Sequence, residues 1–223
     1  AVDKLGATHV LVPSLADDDG TTRSLTLAAG TARTAWGGPI TLASMAHSKP
    51  YWSQVLPDQR ALFVQYNACV DGQPPWADFV AEVGRTLDQQ KLKRLVIDLR
   101  FNGGGDSRLF APLVQVIAAR PAVRVFGLTG RGTFSSAVLD ALDLEQAGAT
   151  LVGEPPGGAP THHGWPDTFA LPVHKLAISA SRKYFPNLRH PGAELVPAIP
   201  VPRTAADFFA GKDPALEAAL AAK

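Results

Sequence analysis

The chain has 223 residues, 46% hydrophobic and 18% charged, with a formal net charge of +1. That balance allows a real hydrophobic core and sets aside both disorder and a nucleic-acid or anionic-membrane surface built on a Lys/Arg run. A single cysteine, Cys69, excludes an intrachain disulfide, and no metal-type Cys/His spacing occurs. No apolar stretch approaches the ~18 residues of a membrane span. The chain begins at Ala1 with no leader-like segment, which reads as a processed or trimmed chain.

Residues 1–60 read as a small N-terminal part of short strands and loops. Strands are expected at 8–12 and 23–28, separated by the turn-rich run Ala16-Asp17-Asp18-Asp19-Gly20. From residue 61 the pattern changes to alternating strands and helices. ALFVQY (61–66) is a strand. Pro74-Pro75 opens a helix whose apolar residues Trp76, Phe79, Val80, Val83 and Leu87 fall in steps of three and four on one face. RLVIDL (94–99) is a continuous apolar strand of the kind buried on both faces. It runs into Asn102-Gly103-Gly104-Gly105-Asp106, and a helix is expected at 109–119. A strand at 124–128, a loop at 130–135, a helix at 136–146 and a strand at 149–152 follow. The repeated order of strand, loop and helix predicts an α/β fold with a mostly parallel sheet, flanking helices and loops gathered at one edge. Sites in such sheets form beyond the carboxyl ends of the strands. Beyond the Gly/Pro/His-rich run 153–165, strands are expected at 168–171 and 175–179. Asp213-Pro214 then starts a final helix, with Asp as cap and Pro in the first turn.

Three segments can carry chemistry. The glycines of 102–106 leave backbone N–H groups uncovered at a helix start, which suits an oxyanion hole or an anion cradle, and equally a tight structural turn. A phosphate loop would need Lys-Ser/Thr after the last glycine, where Asp106-Ser107 stands. In Gly132-Thr133-Phe134-Ser135-Ser136, a serine just before a helix is either an N-cap or a nucleophile at the same sheet edge. His162 and His163, on the run expected to be a loop, are either acid/base residues or a solvated pair. Glu145, on the helix after Ser135, either orients a base or amine or is a plain surface carboxylate.

Taken together, KRLVIDLRFNGGGD, GRGTFSSAVLDALDLEQAGATLVGEPPGG, WPDTFALP, SASRKYF and GKDPALEAAL resemble, in order and spacing, the catalytic domain of tail-specific (C-terminal processing) serine peptidases. The resemblance covers residues 61–223 and implies a crotonase-like α/β core that cleaves peptide bonds of protein or peptide substrates. It implies Ser135 as nucleophile, the amides of Gly104 or Gly105 and of Ser135 as oxyanion donors, and Glu145 near a family acidic position. No metal or organic cofactor and no nucleic acid is implied, a periplasmic or secreted location is favoured, and oligomeric state is left open. One departure stands out. The family's general base is a lysine shortly after Gly-Glu-Pro, and here Ala159 occupies that position. Alanine cannot accept the serine proton. Three readings stay open: His162 or His163 supplies the base, the protein is a catalytically silent peptide-binding pseudopeptidase, or Ala159 is an engineered replacement. Acyl-thioester chemistry on the same fold is a further, weaker reading.

Overall fold

A computed structural model describes residues 10–11, 14–16, 22–24, 27–28, 41, 48–187 and 194–222. The chain divides into two compact units, Ala1–Gly38 and Pro39–Lys223. In the first, strands β1 (Val10–Leu11) and β4 (Leu27–Ala28) pair antiparallel, as do β2 (Ser14–Ala16) and β3 (Thr22–Ser24). The strand expected at 23–28 is thus split between two pairings, and the rest of the one expected at 8–12 lies outside the described residues.

The second unit is built on a six-stranded sheet. Its elements are β5 (Tyr51–Leu56), β6 (Ala61–Tyr66), α1 (Trp76–Gln89), β7 (Arg94–Asp98), α2 (Ala111–Ala118), β8 (Arg124–Thr129), α3 (Ser136–Gln146) and β9 (Thr150–Gly153). The hairpin strands β10 (His162–Ala170) and β11 (Ala177–Phe185) follow, then β12 (Ile199–Pro200), α4 (Ala205–Phe209) and α5 (Pro214–Ala221). The sheet order is β12-β9-β8-β7-β6-β5, antiparallel at β5–β6 and parallel throughout the rest. The sheet thus starts at Tyr51, before residue 61, because β5 pairs along its whole length with β6.

The central strands carry continuous apolar runs, Leu62–Val64, Leu95–Ile97 and Val125–Leu128, because both of their faces are covered. Leu95 and Ile97 of β7 face the core shared with α1, α2 and α3, while Val96 between them faces the smaller core under α5. Strand side chains alternate, so one strand serves two cores. Each such fully buried aliphatic side chain is worth about 1.5–3 kcal/mol. The Gly127 position admits α3: a Cβ there would lie 2.8 Å from Leu151 Cδ2 and 3.1 Å from Leu144 Cδ1.

Two expectations are corrected. The turn after the glycine loop is a 3-10 turn, Ser107–Phe110, and the α-helix begins only at Ala111, with Pro112 in its first turn. The two short strands expected at 168–171 and 175–179 are the inner ends of a hairpin of nine residues per arm. Gly164 and Pro166 in the outer half break the sequence pattern without breaking the pairing, since both occupy the first arm of the hairpin and its outer edge has no partner strand among the described residues.

A buried ion cluster closes the sheet edge. Arg100, just past β7, donates to both carboxylate oxygens of Asp98 (2.9 and 2.7 Å) and to both of Asp213 (2.6 and 2.8 Å). Asp213 in turn caps α5 through the Leu216 N–H. Burial alone would raise the Asp213 carboxyl, but the hydrogen bonds and charge of Arg100 outweigh it and hold it below the usual carboxylate range. Removing the cation leaves two buried carboxylates facing each other. Arg100→Ala is expected to cost about 3–5 kcal/mol, read as a lower urea midpoint. A midpoint within error of the parent would show that the cluster is not holding the edge.

Candidate functional site

Strands β6 to β9 run parallel and side by side, so their carboxyl ends deliver four segments to one edge of the sheet. They are Cys69 after β6, the glycine loop 102–106 after β7, the Ser135 loop after β8, and residues 154–159 after β9.

The Ser135 loop is fastened through Thr133, which is fully buried. Its hydroxyl donates to Leu99 O (2.9 Å) and accepts from Gly130 N (3.1 Å), while its own N–H donates to Gly130 O (2.8 Å). Gly132 passes so close to the Arg100 carbonyl that a Cβ would collide with that oxygen. Phe134 N–H donates to Asn102 O (2.9 Å), joining this loop to the glycine loop.

Ser135 itself stands at φ 54°, ψ −124° immediately before α3. This conformation is sparsely populated for any residue with a Cβ and costs about 1–3 kcal/mol. The serine side chain makes no capping hydrogen bond to the helix. The ordinary reason for a serine at this position is therefore missing, and its hydroxyl is left for another use.

The glycine loop is tied at nearly every polar backbone group. Gly104 N–H donates to Asn102 Oδ1 (2.9 Å), and Gly104 O accepts from Cys69 N–H (3.0 Å). Gly105 O accepts from Ser136 Oγ (2.6 Å), and Asp106 N–H donates to Cys69 O (2.8 Å). The Gly103 and Gly105 N–H groups have no partner among the described residues. Gly104 O and Gly105 N–H belong to one trans peptide plane, so the N–H points away from Cys69. Gly104 and Gly105 have φ +105° and +139°, values that side chains rarely allow. At Gly104 a Cβ would lie 2.8 Å from Ser135 Cβ and 3.0 Å from Ser136 N. The structure thus brings Gly104, Gly105 and Ser135 together.

The segment after β9 reaches the same place. A Cβ on Gly158 would lie 3.2 Å from Ser135 N, and Gly158 N–H donates to Thr133 O (3.3 Å). Ala159 follows directly. His162 Nδ1 lies 3.0 Å from Ala159 O. A carbonyl only accepts, so Nδ1 carries the proton and Nε2 of the neutral ring keeps its lone pair. Its ring stacks on Phe185, centroids 5.3 Å apart. His163 is not beside it: both histidines belong to β10 rather than to a loop, so successive side chains point to opposite faces, and His163 packs on Tyr184. Glu145 is exposed near the far end of α3, ten residues or about 15 Å along the axis from Ser135. There it lines a surface groove with Ser107, Arg108 and Asp143.

Below the loop lies a buried polar group that the sequence pattern does not announce. Asp140 and Asn102 have no exposed surface, and Cys69 is 1% exposed. Cys69 Sγ–H lies 3.1 Å from Asp140 Oδ2 and 3.4 Å from Asn102 Oδ1. Burial, opposed by the Cys69 hydrogen bond and reinforced by the charge of Asp143, pushes the Asp140 carboxyl well above the usual range. Among the described residues no helix is long and apolar enough to cross a membrane, and no group of three or more His, Cys, Asp or Glu comes together as a metal site.

No protein-family model matches the chain, and no curated protein matches it. Solved structures do. The photosystem II D1 C-terminal processing protease matches with a TM-score of 0.51 at 14% identity, over 89% of this chain and 58% of that one. An S41 protease from Bacteroides fragilis matches at 0.55 and 13% identity, over 96% of this chain and 64% of that one. Mature CPAF matches at 0.54 and 14% identity, over 93% and 65%. The fold is that of S41-type proteases. At such identities the likeness speaks for the fold, and this chain spans 58%, 64% and 65% of those three structures.

Two outcomes test the geometry. Gly104→Ala forces a Cβ into Ser135 at a positive φ and is expected to cost about 1–3 kcal/mol, read by thermal unfolding. An unchanged melting temperature would mean that the loop has room for a side chain beside Ser135. The second concerns pH. A buried acid whose folded pKa is raised supports the fold fully below its unfolded value of about 3.9, and that support is lost as pH rises toward the folded value. The melting temperature of Asp140→Asn relative to the parent is therefore expected to be more favourable at about pH 8 than at about pH 5. An equal difference at both would place a charged carboxylate at Asp140 throughout.

Proposed function

We propose that the protein is a serine-type peptidase that hydrolyses peptide bonds of protein or peptide substrates through an acyl-enzyme on Ser135. The observation that carries this reading is the strained, non-capping Ser135 packed against a glycine loop in which Gly105 N–H, next to the Gly104 that abuts Ser135, is left untied. Strain of this kind concentrates at functional sites, and a serine on a sharp strand-to-helix turn suits a nucleophile.

In this mechanism Ser135 Oγ attacks the scissile carbonyl. The developing oxyanion is received by Gly105 N–H and by the Ser135 and Ser136 amides at the start of α3, where the helix dipole also favours negative charge. Gly104 N–H is already engaged by Asn102, so of the two glycine amides Gly105 is the donor. The base is His162 rather than His163 or Glu145. What supports this choice is its tether to Ala159, next to the glycine that abuts Ser135, and the lone pair that the tether leaves on Nε2. The imidazole takes the serine proton and returns it to the leaving amine, and water then hydrolyses the ester. The crotonase-like core and tail-directed specificity belong to the same proposal.

A silent peptide-binding role is the second reading, favoured by Ala159 in place of a lysine. A fluorophosphonate probe separates the two. The parent is expected to label on Ser135, Ser135→Ala not at all, and His162→Gln at a rate lower by about 10²-fold or more. A parent that binds C-terminal peptides yet never labels would decide for the silent role. Ala159→Lys gaining labelling from an inert parent would show the remaining groups correctly placed but lacking a base.

A further inference from the structure

We propose that Asp140 is a positioning residue: through Cys69, which it shares with Asn102, it holds the glycine loop where Gly105 N–H can meet the substrate oxyanion. The proposal rests on the reading of that loop as an oxyanion site.

Helix α3 grips the loop by one face. Ser136 and Asp140 are four residues apart and so lie on the same side of the helix. Ser136 reaches Gly105 O directly (2.6 Å). Asp140 reaches it in two steps, since its Oδ2 accepts a hydrogen bond from the Cys69 thiol (3.1 Å) and the Cys69 backbone then pairs with Gly104 O and Asp106 N–H. The same thiol lies 3.4 Å from Asn102 Oδ1, the atom that holds Gly104 N–H. Asp140 thus stands behind the Cys69 pairing and beside the Asn102 contact, and none of these leaves a bond on Gly105 N–H.

The arrangement is costly for stability alone. Asp140 Oδ1 and Asn102 Nδ2 are buried without partners among the described residues. A leucine at position 140, with the same number of side-chain heavy atoms, would leave no unmatched carboxyl oxygen, and the Cys69 thiol, a weak donor, would keep Asn102 Oδ1 as an acceptor. A buried acid in such a place is expected where it specifies geometry. Asparagine has the same shape and keeps a carbonyl oxygen able to accept from the Cys69 thiol.

The test compares Asp140→Leu, Asp140→Asn and Cys69→Ala in the full chain, using the second-order rate of fluorophosphonate labelling at Ser135, amide exchange of the 100–108 segment and the melting temperature. Misplacing one oxyanion donor costs about 10- to 100-fold in rate. Asp140→Leu is expected to slow labelling by that factor and speed exchange in 100–108, with a melting temperature equal to or above the parent's. Asp140→Asn is expected to restore most of the rate and the protection. Cys69→Ala, which removes the intermediary, is expected to reproduce the leucine effect, and it decides the matter if the leucine variant does not fold. Parent-like labelling and exchange in Asp140→Leu, or in Cys69→Ala where that variant decides, would overturn the proposal. If the parent itself never labels, the peptidase reading fails and exchange alone decides for Asp140: faster exchange on loss of the contact supports it, unchanged exchange overturns it.

Discussion

The parallel register of β6, β7, β8 and β9 is the constraint on which the rest depends. Leu62 stands beside Leu95, Leu95 beside Val125, and Leu128 beside Val152, so four strands end at one edge. The chain must turn there four times, and each turn arrives next to the others. Cys69, Gly104, Ser135 and Gly158 come from segments far apart in sequence and meet because the ladder admits no other offset. A shift of one residue in any strand would also exchange its two core faces, which the alternation of Leu95, Val96 and Ile97 forbids.

Within that frame the edge is rigid by over-determination. Thr133 spends its hydroxyl, its N–H and its carbonyl on three different segments. The glycine loop is bound on both sides, to Cys69 and to Ser136. Strain at Ser135 survives because the surroundings hold it from several directions, not because the residue favours it. The sharpest contrast lies in the β10–β11 hairpin. It begins within a few residues of the same edge yet carries exposed Phe169 and Tyr184, with little of the burial seen in the sheet.

What the sequence reveals depends on whether the cause is local. The helix at 136–146 and the buried strand at 94–99 follow from short apolar patterns, and the structure has them at Ser136–Gln146 and Arg94–Asp98. The Asp213 cap is equally local and equally legible. The proximity of the glycine loop to Ser135 follows from two strand–loop–helix units in tandem. The backbone angle of Ser135 does not, because a serine before a helix reads as a cap until its side chain is seen to make no such bond. Asp140 is hidden for a different reason: an acid in the run LDALDLE matches a solvated helix face, and only the position of Cys69 opposite it reveals a buried one. Glu145 misleads in the reverse direction, being near in sequence but about three turns away in space. The two histidines look equivalent in a Gly/Pro-rich run and are separated only by strand alternation.

The Arg100 cluster has a temporal side. Arg100 flanks the serine loop through the tight approach of Gly132, and its second carboxylate partner, Asp213, lies 113 residues further along. A chain leaving the ribosome exposes strands β7 to β9 and the serine loop well before that aspartate emerges. Until then Asp98 is the only one of the guanidinium's two carboxylate partners present. A nascent fragment that already contains Ser135 therefore still lacks the Asp213 half of the Arg100 cluster, which only the arrival of α5 supplies.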